Sequence, residues 1–189
     1  MLRRLFQGAF LLLLVSVGTP VYATVASPLS FDELVKSSDV VAHGFVVNQW
    51  AEAPEGLPGA VYTYTQVEVA QVLKGVPSKR IILRQFGGEL GGYTVKLSGT
   101  PIFELGAEVV VFAGRDDDKS PYVSVGLAQG VFYVSRTDER VSLSRRLSGI
   151  TFYNPVLRHF SLAPMPDRLP DLLDEVVLRW ADQIAKGGE

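Results

Sequence analysis

The sequence predicts a mainly β fold, a barrel or sandwich of short strands with a helix at each end. Three observations carry that expectation. Stretches of alternating or continuously apolar residues recur through the middle of the chain, with turn residues between them. A capping box opens a short helical stretch ahead of the first of them. An apolar stripe at helical spacing follows the last.

The elements come in order. Ser30-Phe31-Asp32-Glu33 sets a serine three residues before a glutamate, so each side chain reaches the other's backbone amide. Phe31, Leu34 and Val35 then give a short amphipathic helix. Val40–Val47 is apolar and rich in β-branched residues, the mark of a strand buried on both faces. Ala51–Gly59, with two prolines and two glycines, reads as a loop. Val61–Leu73 alternates. Val61, Thr63, Thr65, Val67, Val69 and Leu73 take one face, and Tyr62, Tyr64, Gln66 and Glu68 the other. So long a strand calls for coiling or a bulge. Ile81–Phe86, Tyr93–Leu97, Glu108–Phe112, Tyr122–Val125, Gly130–Val134 and Arg140–Leu143 complete the strands, and Arg145-Arg146 end the last. Gly149–Pro166 is irregular and aromatic-rich, a segment expected to lie over the strands. A final helix begins near Pro170, and Leu172, Leu173, Val176, Val177, Trp180 and Ile184 form its apolar stripe. Gly187-Gly188 stop it.

The first 23 residues read as a secretory signal peptide. Arg3 and Arg4 give a basic start, Ala9–Val17 an apolar run, and Val21-Tyr22-Ala23 a cleavage site. The run is short for a membrane span, and no later segment is long enough for one. The expected organisation is therefore a leader at 1–23, a β domain at 24–145, and the irregular segment with the final helix at 146–189. The mature protein would be secreted or periplasmic.

Composition narrows the function. The chain has no cysteine, so disulfides, cysteine metal sites and cysteine nucleophiles are excluded, and a buried core must hold the fold. Loss of the leader leaves 16 basic and 20 acidic residues, a net charge of −4. That balance argues against nucleic acid, which draws on concentrated positive charge.

The stretch Arg84-Gln85-Phe86-Gly87-Gly88-Glu89-Leu90-Gly91-Gly92-Tyr93 carries two glycine pairs. A phosphate loop needs a helix behind it. Tyr93–Leu97 alternates like a strand instead, so the glycines read as a turn between strands.

The pattern LVKSSDVVAHGFV, VYTYTQVEVAQVLKG, ILRQFGGELGG, GTPIFELGAEVVVF and VGLAQGVFYV resembles a family of bacterial secreted proteins of unknown function. Its order and spacing are also similar to the netrin-like module of tissue inhibitors of metalloproteinases, without the cysteines. The resemblance spans about Ser30 to Val134. It implies an OB-like antiparallel barrel of five or more strands with a flanking helix, and a secreted metalloprotease among the partners. Those inhibitors chelate the protease zinc through an N-terminal cysteine. With no cysteine and an expected first residue Thr24, that mechanism does not carry over.

Candidate chemistry is sparse. His43 reads as a strand histidine with a hydrogen-bonded ring, and His159 falls in the irregular segment. Neither has a paired acid at ligand spacing, so no metal site is expected. Asp116-Asp117-Asp118-Lys119-Ser120 lacks the glycine and distant glutamate of a calcium loop and reads as a solvated turn. Gly126-Leu127-Ala128-Gln129-Gly130 puts alanine where a nucleophile elbow needs serine. No cofactor and no catalytic set are expected.

What remains is a surface. OB barrels bind across their second and third strands. Here those strands point to Tyr62, Tyr64, Arg84, Gln85 and Phe86, beside the loop Glu52–Gly59, as the contact surface for an extracellular or periplasmic protein or a glycan. The sequence leaves open whether the final helix or the 149–166 segment covers them. A small hydrolase without a recognisable motif, and a surface or matrix component, are the other classes.

Overall fold

The structure is a computed structural model and describes residues 24–153, 155, 162 and 164–187. The expected leader, His159, Phe160 and Gly188 lie outside the described residues. Among the described residues the fold is mainly β with two α-helices. Strand β1 (Thr24–Ala26) precedes helix α1 (Phe31–Ser37). Strands β2 (Val40–Glu52), β3 (Tyr62–Lys74), β4 (Arg80–Phe86), β5 (Gly88–Leu90), β6 (Tyr93–Val95), β7 (Glu108–Gly114) and β8 (Val123–Ser124) follow. A 3₁₀ turn at Leu127–Gly130 leads to β9 (Val131–Arg136), β10 (Val141–Ser144), β11 (Ile150–Phe152) and helix α2 (Leu169–Gly187).

The capping box forms as the spacing requires. The Ser30 amide donates to Glu33 Oε2 at 2.7 Å, and the Glu33 amide to Ser30 Oγ at 3.3 Å. The first of these bonds holds the Glu33 carboxyl below its usual range. At the other end of α1 the Ser38 hydroxyl donates to Leu34 O, and Lys74 Nζ to Val35 O, each at 2.6 Å, closing carbonyls the helix leaves open.

The main sheet is antiparallel, in the order β10-β9-β7-β2-β3-β4, with β8 added beside β7. The named strands trace an open path. At its outer end the Arg84 amide donates to Tyr122 O at 2.7 Å, and the Tyr122 amide to Ile82 O at 2.9 Å. Two small pairs stand apart. β5 and β6 form a hairpin, and β1 runs parallel to β11.

Both faces of the sheet are covered at its centre. Val40, Ala42, Val46, Val67, Leu83, Val109 and Val111 build one cluster. Val41, Val110, Phe112 and Phe132 build the other, against Phe31, Leu34 and Val35 of α1 and Leu169, Leu172 and Val176 of α2. Alternation along β2 and β7 feeds both clusters, which explains their continuous apolar character.

Several expectations need correction. β2 continues to Glu52, because its partner β3 is long and the two remain in register from Asn48↔Gln66 to Glu52↔Tyr62. Of the coiling or bulge expected of so long a strand, bulges are found: the ladder shifts between Val41/Ala42, His43/Gly44 and Val46/Asn48, the last with its extra residue on β2. Each shifts the parity of one strand by one residue. Leu73 therefore turns to the helix-covered cluster rather than sharing a face with Val67. Phe45 and Val47, past the cover of the helices, are exposed rather than buried. Gly44 sits at a bulge where a Cβ would come within 2.2 Å of Glu68 O.

The strand expected over Tyr93–Leu97 is only β6, and it pairs with β5, inside the stretch expected to be a turn. The segment over Tyr122–Val125 gives only the two residues of β8. The 149–166 segment contains β11, so Arg145-Arg146 end β10 but not the strands. On α2, Val177 and Ile184 are exposed. At about 100° per residue they fall on the flank of the arc defined by Leu172, Val176 and Trp180. No helix among the described residues is long and apolar enough to cross a membrane.

Candidate functional site

Cross-strand register assembles the outward face of β2, β3 and β4. Trp50 lies opposite Tyr64, and Tyr64 opposite Arg84. One step along, Glu52 faces Tyr62, and Tyr62 faces Phe86. The result is a grid of four aromatic rings with Arg84 among them. Trp50 stacks on Tyr64, centroids 5.3 Å apart and planes at 11°. Tyr62 meets Phe86 edge to face at 5.6 Å. The Arg84 guanidinium lies 5.2 Å from the Tyr62 ring centroid. The Trp50 indole N–H donates to Glu52 Oε1 at 2.8 Å, which fixes the ring's orientation.

Helix α2 does not bury this face, and most of residues 154–163 lie outside the described residues. α2 spends its buried stripe on the cluster with Phe112 and Phe132, which contains none of the four rings. Phe86 is 38 % exposed, and Trp50, Tyr62, Tyr64 and Arg84 are half-buried. Arg84 makes no ion pair among the described residues, so its donors remain available.

Gln85 belongs elsewhere. Strand alternation turns it to the opposite face, where it is buried. A directed chain of hydrogen bonds runs through it. Gln49 Nε2 donates to Thr65 Oγ1 at 3.0 Å, the Thr65 hydroxyl to Gln85 Oε1 at 3.4 Å, and Gln85 Nε2 to Pro101 O at 2.5 Å. Gln49, Gln85 and Pro101 line a cleft of about 570 Å³, together with Thr63, Phe86, the glycines of the β4–β5 bend and the strand-free run Lys96–Phe103, while Thr65 is buried. Of the five residues singled out from the sequence, four share the aromatic face and Gln85 lines the cleft. Phe86, at the end of β4, borders both.

The two glycine pairs shape the cleft wall. Gly87 and Gly88 have φ of 101° and 144° and bend the chain sharply from β4 into β5. A Cβ on Gly88 would lie 2.2 Å from Thr63 Oγ1. That hydroxyl is held in place by donating to Gly87 O at 2.7 Å. Gly91 and Gly92, with φ of 61° and 83°, form the two-residue loop between the paired residues Leu90 and Tyr93. Positive φ at both loop positions is what a tight hairpin demands.

Several other charged groups form structural contacts. His43 Nε2 lies 2.7 Å from Glu108 Oε1. Arg136 grips the same carboxylate with Nε at 2.6 Å and Nη2 at 2.5 Å. The Arg136 bonds are the main reason that the Glu108 carboxyl is held below its usual range, with His43 adding to them against the cost of burial. His43 thus has the acid partner that the sequence did not reveal. Asp117 is committed to the amides of Lys119 and Ser120, as a turn requires. No group of three His, Asp or Glu able to hold a metal occurs among the described residues.

Trp50 is the member of the aromatic face that the sequence did not single out. The signal was present in the resumed alternation Asn48-Gln49-Trp50-Ala51-Glu52, hidden behind the bulge at Val47. Comparison with protein-family models, curated proteins and solved structures found no match to the chain.

Proposed function

We propose that the chain is an exported, non-enzymatic binding module that recognises a protein partner through the outward face of β2, β3 and β4. The observation that carries this reading is the half-exposed grid of Trp50, Tyr62, Tyr64 and Phe86 around Arg84, which has no ion pair among the described residues. Trp, Tyr and Arg are the residue types that dominate protein-binding hot spots. Here the rings are pre-ordered by their mutual contacts, so little side-chain entropy is lost on docking. The hydrogen-bonded sheet beneath gives the rigidity that a loop-borne patch would lack.

The reading includes an OB-like barrel. Support comes from the ladder β7-β2-β3-β4 together with the Tyr122 bonds to the edge of β4 and the β8 bonds to β7. These would link five segments in a ring. Export is supported by the leader-like first 23 residues. A secreted metalloprotease fits as partner only through this face, because the chain has no cysteine to chelate a zinc.

The test is affinity capture from the exported fraction of the source cells, comparing the protein with a Trp50→Ala/Tyr64→Ala variant of unchanged circular dichroism. A specific partner should be retained, then bind the variant about 30-fold more weakly, the loss of one hot spot of about 2 kcal/mol. Equal retention by both proteins, or no partner at all, refutes the reading.

A further inference from the structure

The cleft behind β4 is a second site, which shares only Phe86 with the aromatic face. We propose that it binds a neutral, hydroxyl-rich ligand, a mono- or disaccharide, through the side-chain amides of Gln49 and Gln85. The volume, about 570 Å³, falls within the roughly 300–1,000 Å³ of small-molecule sites.

The polar groups in the cleft are ordered in advance. Pro101 O can only accept, so the Gln85 atom facing it is the nitrogen, and Oε1 is turned to the Thr65 hydroxyl. That hydroxyl in turn accepts from Gln49. The direction of the whole chain is fixed by a backbone carbonyl. Each amide keeps hydrogen-bonding capacity that the chain does not use: a second N–H on each glutamine, and the Gln49 carbonyl oxygen. Paired donors and acceptors at fixed positions match vicinal hydroxyls, each of which both gives and takes a bond.

The lining also selects against charge. Glu89 and Lys96 are the charged residues of the lining, one of each sign. The Phe86 ring at the border, 38 % exposed, offers an apolar surface to a sugar's C–H face. A phosphate or carboxylate would find no concentrated positive charge here and would lose its hydration.

The experiment titrates the isotopically labelled protein with glucose, N-acetylglucosamine, maltose and cellobiose, following the side-chain amide resonances of Gln49 and Gln85. Glucuronate is the charged comparator. At least one neutral sugar should shift both resonances saturably, with a dissociation constant of about 1 mM or tighter. Glucuronate should bind about ten-fold more weakly. Gln85→Ala should weaken the sugar about ten-fold, and so should Gln49→Ala. Should Gln85→Ala fail to fold, Gln49→Ala decides, because that side chain is half-buried and gives up only its bond to Thr65. Trp50→Ala/Tyr64→Ala should leave sugar binding unchanged, which separates this site from the protein-binding face. No saturable shift with any of the four sugars up to about 20 mM overturns the proposal. So does binding that survives both glutamine substitutions.

Discussion

Glu108 offers the sharpest test of how the sheet is held together. Its side chain is 8 % exposed and accepts two bonds from Arg136, while His43 Nε2 sits 2.7 Å away. Glu108→Gln keeps the shape and removes the charge. One oxygen remains to accept from Arg136, while the new N–H₂ faces a guanidinium that can only donate. A hydrogen bond to a charged group contributes about 1.5–3 kcal/mol. Arg136 is itself 54 % exposed and can turn to water, so the loss stays below the roughly 3–5 kcal/mol of breaking a fully buried pair. The expected destabilisation at pH 7 is about 2 kcal/mol, or roughly 4–8 °C in Tm for a domain of this size. The pH dependence is the stricter check. The Glu108 carboxyl has a folded pKa below the ordinary value of 4.5, so in acid the unfolded chain takes up its proton first. Its stabilisation is complete above pH 4.5 and is lost as pH falls through the lower, folded pKa. Thermal and urea unfolding of both proteins, from pH 7 down to pH 3, should show a gap that is widest at neutrality and closes in acid. A gap that is equal at both ends of the series, or absent at pH 7, refutes the reasoning.

Two further outcomes are expected. Gly88→Ala should cost about 1–3 kcal/mol by urea unfolding, since the new Cβ meets a committed Thr63 hydroxyl and φ of 144° strains any L side chain. The β5–β6 hairpin should then show faster amide exchange. Leu172→Ala should cost about 3 kcal/mol in a thermal melt, because that side chain is fully buried between α2 and the sheet. Val177→Ala, on the same helix but 48 % exposed, should change stability by no more than about 0.5 kcal/mol.

What could be read from the sequence was local. The capping box needs only Ser30 and Glu33, three residues apart, and it forms as expected. The long strand β3 announced its bulges by its length alone. What could not be read was parity after a bulge, and pairing at a distance. The extra residues in the β2–β3 ladder moved Leu73 to the helix-covered face, which no fixed period of two can express. The parallel pair of β1 and β11 joins Thr24 to Ile150 through three residues on each side, too short a run to carry a periodic signal. His43 and Glu108 meet only because β2 and β7 are neighbours, and 65 residues separate them.

The candidate site divides along the same line. Tyr62, Tyr64, Arg84 and Phe86 could be grouped because alternation within one strand and register with the next are both short-range. That same alternation places Gln85 between Arg84 and Phe86 on the other side of the sheet, so grouping it with them contradicted the rule that selected them. The correction is informative about function. A buried glutamine costs desolvation unless it is bonded, and Gln85 is bonded only in part, at the edge of a cleft whose wall is built from positive-φ glycines. If that amide served packing alone, an apolar side chain of similar volume would fill the space without the unused polar groups. Gln85→Met therefore distinguishes the two roles. A stable protein that no longer shifts with sugar makes the amide a binding group, whereas one that still responds to sugar makes it a strut between β4 and the Pro101 carbonyl.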